Sequence, residues 1–118
     1  MSTSPRQLKF GAILTGVGTA QNEWLHPQIP GDASVDIDWY RTQAQQAEAA
    51  KFDLIFIVDS PYIPPESAPH YLNRLEPLTL LSAVAGPTSK IRLVATFTTS
   101  ATEPIYFAPQ FSLLDPLS

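Results

Sequence analysis

The sequence has 118 residues, a formal net charge of −4 and only 15% charged residues, against 44% hydrophobic ones. Seven Lys and Arg are too few for a basic surface that binds a nucleic acid backbone, so we expect no nucleic acid partner. The lack of cysteines excludes disulfides and thiolate metal sites, and it is compatible with the cytoplasmic location that we expect. No apolar run reaches the roughly 18 residues of a membrane-spanning helix, so we expect no membrane association.

The first half of the chain predicts a strand, a long loop, a helix and a second strand. Residues 8–14 form a short apolar run that ends at glycines, which is typical of a buried strand. The loop that follows carries Trp24 and His26, and loops of this length are usually functional. Apolar residues at helical spacing predict a helix over 36–50. The β-branched and aromatic run at 53–58 shows no alternation, which predicts a strand buried on both faces.

The second half repeats the pattern after a proline-rich loop. A helix is predicted over 77–85 because a proline at its first turn costs no hydrogen bond. A third apolar strand follows at 91–96, and a last helix is predicted at 104–117. Pro109 and Pro116 fall inside that last helix, where a proline removes a hydrogen bond and clashes with the preceding turn.

The order β-α-β-α-β-α with continuous apolar strands predicts an α/β fold with parallel strands and right-handed crossovers. Residues 1–118 are interpreted as one partial barrel domain, because an eight-stranded βα barrel needs about 250 residues. Three such units would leave unpaired strand edges. We therefore expect the three βα units of an incomplete TIM (β/α)8 barrel.

Two polar residues mark the predicted carboxyl ends of neighbouring strands. Asp59 follows the second strand and Thr96 ends the third, and ligands of parallel βα folds bind at that edge. A carboxylate there can accept a ring N–H, and a hydroxyl can serve a ring carbonyl, as the pyrimidine edge of a flavin requires. The structural alternative is that Asp59 caps a turn and Thr96 merely ends a strand.

Other candidate residues carry weaker signals. His26 has no positioned partner in the sequence, so a solvated side chain competes with a catalytic role. Trp24 is interpreted as a packing residue that can also wall a pocket. The pair Gly16 and Gly18 lacks the third glycine and the short helix of a dinucleotide-binding turn, so we reject a Rossmann fold. No metal-ligand spacing is present, and no catalytic residue can be assigned.

An ordered set of segments is more distinctive than any of these residues alone. The set comprises Trp24 with His26 and Pro27, 51–60, 75–81, 93–99, Glu103 with Pro104, and 111–115. In this order and spacing it resembles the bacterial-luciferase-like flavin-dependent monooxygenases, in the branch of nitrilotriacetate and dibenzothiophene-sulfone monooxygenases. The resemblance covers nearly the whole chain from Leu8 onward.

The resemblance implies a two-component monooxygenase in which a separate flavin reductase supplies reduced FMN. With O2, the flavin would oxidise a small organic substrate, and a homo-oligomer is compatible with the family. Trp24 and His26 would border the substrate pocket. By the same resemblance, the flavin contacts fall on four residues: Asp59, Thr96, Thr98 and Thr99.

The chain departs from the family where it ends, because relatives continue through the remaining strands of the barrel. We interpret the ending as a truncated or decayed product or as one piece of a split enzyme. Three hypotheses stay open. The chain is part of an FMN-dependent monooxygenase that is inactive alone, a non-enzymatic βα fragment that associates with itself or a partner, or a small flavin-binding module.

Overall fold

The computed structural model describes residues 7–18, 20, 22–59, 64–67, 74–100 and 103–114. Within these residues, strands and helices alternate along the chain. The elements are β1 (Gly11–Ile13), α1 (Ile37–Ala49), β2 (Leu54–Ile57), α2 (Pro77–Ala85), β3 (Arg92–Ala95) and α3 (Pro104–Leu114), with one turn of 3-10 helix at Glu23–Leu25 in the first loop.

The three strands form one parallel sheet with β2 in the centre. Ile13 of β1 lies opposite Phe56, and Ile57 of β2 lies opposite Ala95 of β3. All three strands therefore end at the same edge of the sheet, as the alternating sequence pattern predicted. Because Ile57 lies opposite Ala95, this register places the residues after β2 next to the residues after β3.

The first strand is shorter than the predicted segment 8–14. Its regular pairing begins at Gly11, opposite Leu54. Before that point the Phe10 carbonyl accepts hydrogen bonds from the backbone N–H groups of Asp53, at 2.8 Å, and of Leu54, at 3.3 Å. Leu8 is 81% exposed and lies outside the core. The apolar run therefore begins before the strand does.

The hydrophobic core lies between the sheet and the helices α1 and α2. Ile55 and Ile57 alternate with their neighbours and point into this core, where Ile55 is completely buried. The residues that share the core are Leu14, Tyr40, Ala44, Ala47, Leu80, Leu81, Val84 and Ile91. Ile13 of β1 and Val58, just past β2, point to the other face of the sheet. Their side chains are 59% and 45% exposed. One face of the sheet is thus covered and the other is open.

Helix α1 is fixed at both ends by local hydrogen bonds. The Asp36 carboxylate caps its first turn by accepting the backbone N–H groups of Asp38 and Trp39. At the other end Lys51 adopts a left-handed backbone with φ of 62°. The Phe52 N–H then donates to the Ala47 carbonyl at 3.0 Å, which closes the helix and turns the chain into β2.

Three polar side chains of α1 bind the last turn of α2 and the segment that leads from it into β3. Arg41 donates to the Ala83 carbonyl at 3.2 Å, and Gln45 donates to the Pro87 carbonyl at 3.4 Å. Glu48 Oε1 accepts the backbone N–H groups of three successive residues (Ser89, Lys90 and Ile91) at 2.9, 2.5 and 3.0 Å. Because Arg41, Gln45 and Glu48 are spaced at helical intervals, one face of α1 positions the start of β3.

Helix α2 begins with a side-chain cap, whereas helix α3 contains a proline in its interior. The Glu76 carboxylate caps α2 by accepting the N–H groups of Leu78 at 3.0 Å and Thr79 at 2.7 Å. Helix α3 continues through Pro109, which lacks the N–H that would donate to the Ile105 carbonyl. It ends at Leu114 among the described residues, so the predicted end at 117 and Pro116 lie outside them.

We predict that Glu48→Gln flattens the acid dependence of stability. The backbone N–H groups of Ser89, Lys90 and Ile91 lower the pKa of Glu48 below its ordinary 4.5. A lowered pKa in the folded state gives stability that is present above that ordinary value and is lost as the pH falls through the folded pKa. The free energy of unfolding, measured by urea denaturation from neutral pH to about pH 3, should therefore fall less steeply in the variant below pH 4.5.

Glu66→Gln serves as the matched control, because Glu66 is an exposed carboxylate on the described part of the second loop. It should keep the slope of the parent chain. Equal slopes for Glu48→Gln and the parent would show that the three backbone contacts contribute nothing to acid stability.

Candidate functional site

The carboxyl ends of β2 and β3 are joined by hydrogen bonds of polar side chains. The backbone N–H of Asp59 donates to Thr96 Oγ1 at 2.7 Å, and Thr98 Oγ1 donates to the Asp59 carboxylate at 3.3 Å. Asp59 and Thr98 are partly buried, whereas Thr96 is exposed. The structure therefore brings these three candidate residues together at one edge of the sheet. We call Asp59, Thr96 and Thr98 the rim cluster.

The rim cluster keeps hydrogen-bonding capacity for a ligand. In its bond to Asp59, the Thr96 hydroxyl acts as acceptor, so its own O–H can donate to a carbonyl. A carboxylate has about four lone-pair sites, so the bond from Thr98, the one that the described residues make to it, leaves Asp59 able to accept a further N–H. One acceptor for N–H and one donor for a carbonyl, side by side, fit the polar edge of a pyrimidine-type ring.

A cavity of about 300 Å³ adjoins the rim cluster at the carboxyl ends of β1 and β2. Its walls come from the loop after β1 (15–18), the end of β2 (57–59), Tyr40 of α1, and Arg74 and Leu75 ahead of α2. This volume lies at the lower end of the range for small-molecule pockets. Asp59 belongs both to the rim cluster and to this cavity.

Two polar side chains of the cavity wall, Tyr40 and Arg74, interact electrostatically. Tyr40 is only 5% exposed, and its hydroxyl donates to the Ser34 carbonyl at 3.3 Å. Burial raises the pKa of Tyr40, and the Arg74 charge and a hydrogen bond with the Gly16 backbone oppose that rise in part. The phenol is therefore neutral at neutral pH, and the Arg74 guanidinium lies close enough for its charge to act on it.

The loop after β1 packs too tightly to accept side chains at two of its glycines. A Cβ on Gly16 would lie 2.2 Å from Cα of Ser34, and a Cβ on Gly18 would lie 2.2 Å from Oε2 of Glu23. Gly18 also has φ of 101°, which side-chain-bearing residues rarely adopt. These glycines therefore bring the backbone against its neighbours to form a cavity wall, which is a role different from the rejected dinucleotide-binding turn.

The other candidate residues lie apart from the cavity. Trp24 sits in the 3-10 turn and is 38% exposed, and the Nδ1 atom of His26 accepts the N–H of Gln28 at 3.2 Å. Neither residue lines the cavity beside Asp59. Thr99 is exposed in the turn that follows β3. The substrate-pocket assignment of Trp24 and His26 therefore gains no support from the structure.

Sequence reasoning missed Arg74 and Tyr40 as site residues. Tyr40 falls among the residues at helical spacing that predict the helix over 36–50, and that spacing gives no sign of a role for its hydroxyl. One signal for Arg74 was present, because it is one of only seven Lys and Arg in the chain and precedes a predicted helix. In a chain with so few basic residues, an arginine in a loop next to the strand ends is a candidate for the cavity wall.

Comparison with known proteins identifies the family. The sequence matches the luciferase-like monooxygenases over residues 16–118. The chain belongs to this family. The match confirms the resemblance to bacterial-luciferase-like flavin-dependent monooxygenases.

Individual luciferase-like relatives align with nearly the whole chain. It is 45% identical over 118 residues to N-acetyl-S-(2-succino)cysteine monooxygenase of Bacillus subtilis, covering all of this chain and 27% of that protein. It is 30% identical to nitrilotriacetate monooxygenase component A of Aminobacter aminovorans, covering 96% of this chain and 28% of that protein. The chain thus spans little more than a quarter of the length of these relatives.

A solved structure confirms the fold. Riboflavin lyase, crystallised with a modified FMN and its substrate riboflavin, superposes with a TM-score of 0.77 at 30% sequence identity. The match covers 96% of this chain and 28% of the lyase. The three parallel βα units are therefore part of a luciferase-like TIM barrel, and the prediction of an incomplete barrel is confirmed.

None of the helices in the described part of the chain has the length and apolarity needed to cross a membrane.

We predict that Thr96→Val destabilises the chain by about 1 kcal/mol, because it removes the acceptor of the Asp59 backbone N–H while keeping the shape of the side chain. Thr96→Ser keeps the hydroxyl and should recover most of the loss. The measurement is the free energy of unfolding in urea, with Thr99→Val as the exposed control. A loss no larger than that of Thr99→Val would contradict the role of this bond.

Proposed function

We propose that this chain supplies the flavin-binding rim of an FMN-dependent monooxygenase, which uses reduced flavin and O2 to oxidise a small organic substrate. The observation that carries the proposal is the rim cluster, in which Asp59, Thr96 and Thr98 converge at the carboxyl edge of a parallel sheet. Membership of the luciferase-like monooxygenase family supports it. The modified FMN in the similar riboflavin lyase structure supports the choice of flavin.

The residues of the rim cluster would hold the polar edge of the flavin ring. Asp59 would accept a ring N–H, and the Thr96 hydroxyl would donate to a ring carbonyl. Thr98 would keep the Asp59 carboxylate oriented through its 3.3 Å hydrogen bond, and Thr99 would lie beside the ring in the same turn. When bound, reduced FMN would supply the reducing equivalents for the reaction with O2, while the protein orients it and limits access of water.

The cavity next to the rim cluster would receive the substrate. Its apolar walls, which include Leu14, Val17, Ile57 and Leu80, would exclude water from one side of the reacting groups. Since Asp59 lines both sites, a substrate in the cavity would lie beside the ring that Asp59 holds. Holding the substrate next to the cofactor in this way is a main contribution of the protein to cofactor chemistry.

The proposal includes a partner, because the flavin must arrive in its reduced form. A separate flavin reductase would supply it, and the relative that is called component A supports a two-component arrangement. The chain spans 27% of the relative of Bacillus subtilis, so the remaining contacts of a full barrel would come from further βα units. We therefore expect weak flavin binding and no turnover by these 118 residues alone.

We predict that Asp59→Asn weakens binding of reduced FMN roughly tenfold or more, because an ionised acceptor is replaced by a neutral amide. Reduced FMN would be titrated anaerobically into the 118-residue chain and followed by flavin absorbance and fluorescence. Asp38→Asn is the matched control, since Asp38 is an exposed carboxylate on α1 whose side chain is 83% accessible.

Each outcome of this titration bears on the proposal. Saturable binding that weakens in Asp59→Asn and not in Asp38→Asn supports a flavin site at the rim cluster. Equal affinities for the parent and Asp59→Asn, or no saturable binding at all, contradict it.

The alternative function is that of a non-enzymatic βα unit which associates with a second copy of itself. The open face of the sheet favours this alternative, since Ile13 and Val58 are 59% and 45% exposed. Sedimentation of the same samples separates the two functions. A dimer that forms without flavin and that binds none would favour association over catalysis.

A further inference from the structure

We infer that Phe97 is a positioning residue, which couples the rim cluster to helix α3 through a ring contact with Phe111. If the proposed function is right, Phe111 acts on flavin binding from α3 by way of Phe97, and that part of the inference rests on the proposed function. The coupling of α3 to the rim cluster stands on the contacts of the folded chain alone.

Phe97 lies between the two threonines of the rim cluster. Thr96 and Thr98 both reach across to Asp59, through hydrogen bonds of 2.7 and 3.3 Å at the end of β2. The side chain between them contacts Phe111 of α3 instead. Because one short stretch of backbone carries all three side chains, a displacement of the Phe97 ring would move both threonines relative to Asp59.

The contact of the two rings has the geometry of a favourable aromatic pair. The ring centroids are 5.3 Å apart and the ring planes are inclined by 66°. Edge-to-face pairs with centroids roughly 4.5–7 Å apart are favoured, because the positive edge of one ring meets the negative face of the other. Phe97 is half-buried and Phe111 is 45% exposed. The two rings therefore hold each other in a defined orientation.

The ring pair lies beyond a gap between α3 and the sheet. A cleft of about 380 Å³ opens between α3 and the first part of β3, and Leu93, Phe111 and Leu114 are among its walls. The helix therefore does not pack closely on residues 89–93. The ring pair follows at the carboxyl end of β3, where it gives α3 a direct contact with the chain that carries the rim threonines.

A second aromatic pair supplies a matched control at the other end of the sheet. Phe10 and Phe52 also meet edge to face, with centroids 6.4 Å apart and planes inclined by 71°. Phe10 is 57% exposed and precedes β1. Phe10→Leu therefore removes a partly exposed ring from a similar pair, as Phe111→Leu does, but far from the rim cluster.

The first measurement is amide hydrogen exchange, followed by NMR in the flavin-free 118-residue chain. The reporter is the backbone N–H of Asp59, which is bonded to Thr96 Oγ1. The internal standard is the backbone N–H of Leu80, which donates to the Glu76 carbonyl at 3.0 Å in α2. A general loss of stability accelerates exchange of both amides, whereas a displaced rim cluster accelerates only the first.

Phe111→Leu should raise the exchange rate of the Asp59 N–H relative to the Leu80 N–H roughly threefold to tenfold, the range set by the energy of an aromatic pair. Phe111→Tyr keeps the ring and should exchange as the parent does. Phe10→Leu should leave the ratio unchanged. Adding Phe111→Leu to Phe97→Leu should raise the ratio no further, because Phe111 acts through Phe97.

The second measurement is an anaerobic titration of the same variants with reduced FMN. Phe111→Leu should bind it roughly threefold to tenfold more weakly than the parent. Phe111→Tyr and Phe10→Leu should bind it as the parent does. A residue with a merely structural role would change the stability of the chain and leave this affinity unchanged.

The inference is overturned if the ratio of exchange rates in Phe111→Leu equals that of the parent, or if Phe10→Leu raises it equally. Should Phe97→Leu fail to fold, the comparison of Phe111→Leu with Phe111→Tyr still decides. Because the exchange experiment contains no flavin, its failure is separable from failure of the proposed function. A raised ratio in a chain that binds no FMN would preserve the coupling and remove the flavin site. FMN binding that Phe111→Leu does not weaken would do the reverse.

Discussion

The parallel register of β2 with both of its neighbours is the constraint on which the site depends. Because Ile57 lies opposite Ala95, the next residues of the two strands meet at one edge, and Thr96 comes within 2.7 Å of the Asp59 backbone. A shift of one residue would turn Ile55 and Ile57 out of the core and move the rim residues apart. The same packing that stabilises the sheet therefore assembles the rim cluster.

The register is maintained from outside the sheet by helix α1. Glu48 collects three consecutive backbone N–H groups at the entrance to β3, and Arg41 holds the end of α2. Such contacts link elements that are far apart in the chain but adjacent in a βα barrel. The covered face of the sheet, with α1 and α2 packed on it, is the part of the fold that the described residues organise among themselves.

Sequence patterns predicted the elements well, because continuous apolar strands and capped helices have local signatures. The convergence of Asp59 and Thr96 was also predictable, since parallel strands in alternation with helices end at one edge. The cavity was not predictable, because it depends on how the loop 15–18 folds against Ser34 and on where Arg74 lies relative to Tyr40. Those are contacts between distant segments with no spacing rule. The sequence also overestimated β1, since apolar residues precede the first paired residue.

The central claim is that the rim cluster is where this chain binds the flavin ring. A crystal structure of the chain grown with FMN under reducing, anaerobic conditions tests it most directly, because it shows the position of the ring rather than an affinity. The account predicts ring density against Asp59 and Thr96, with a ring N–H directed at the carboxylate and a ring carbonyl at the hydroxyl. Ring density elsewhere on the sheet, with Asp59, Thr96 and Thr98 still bonded only among themselves, would contradict it.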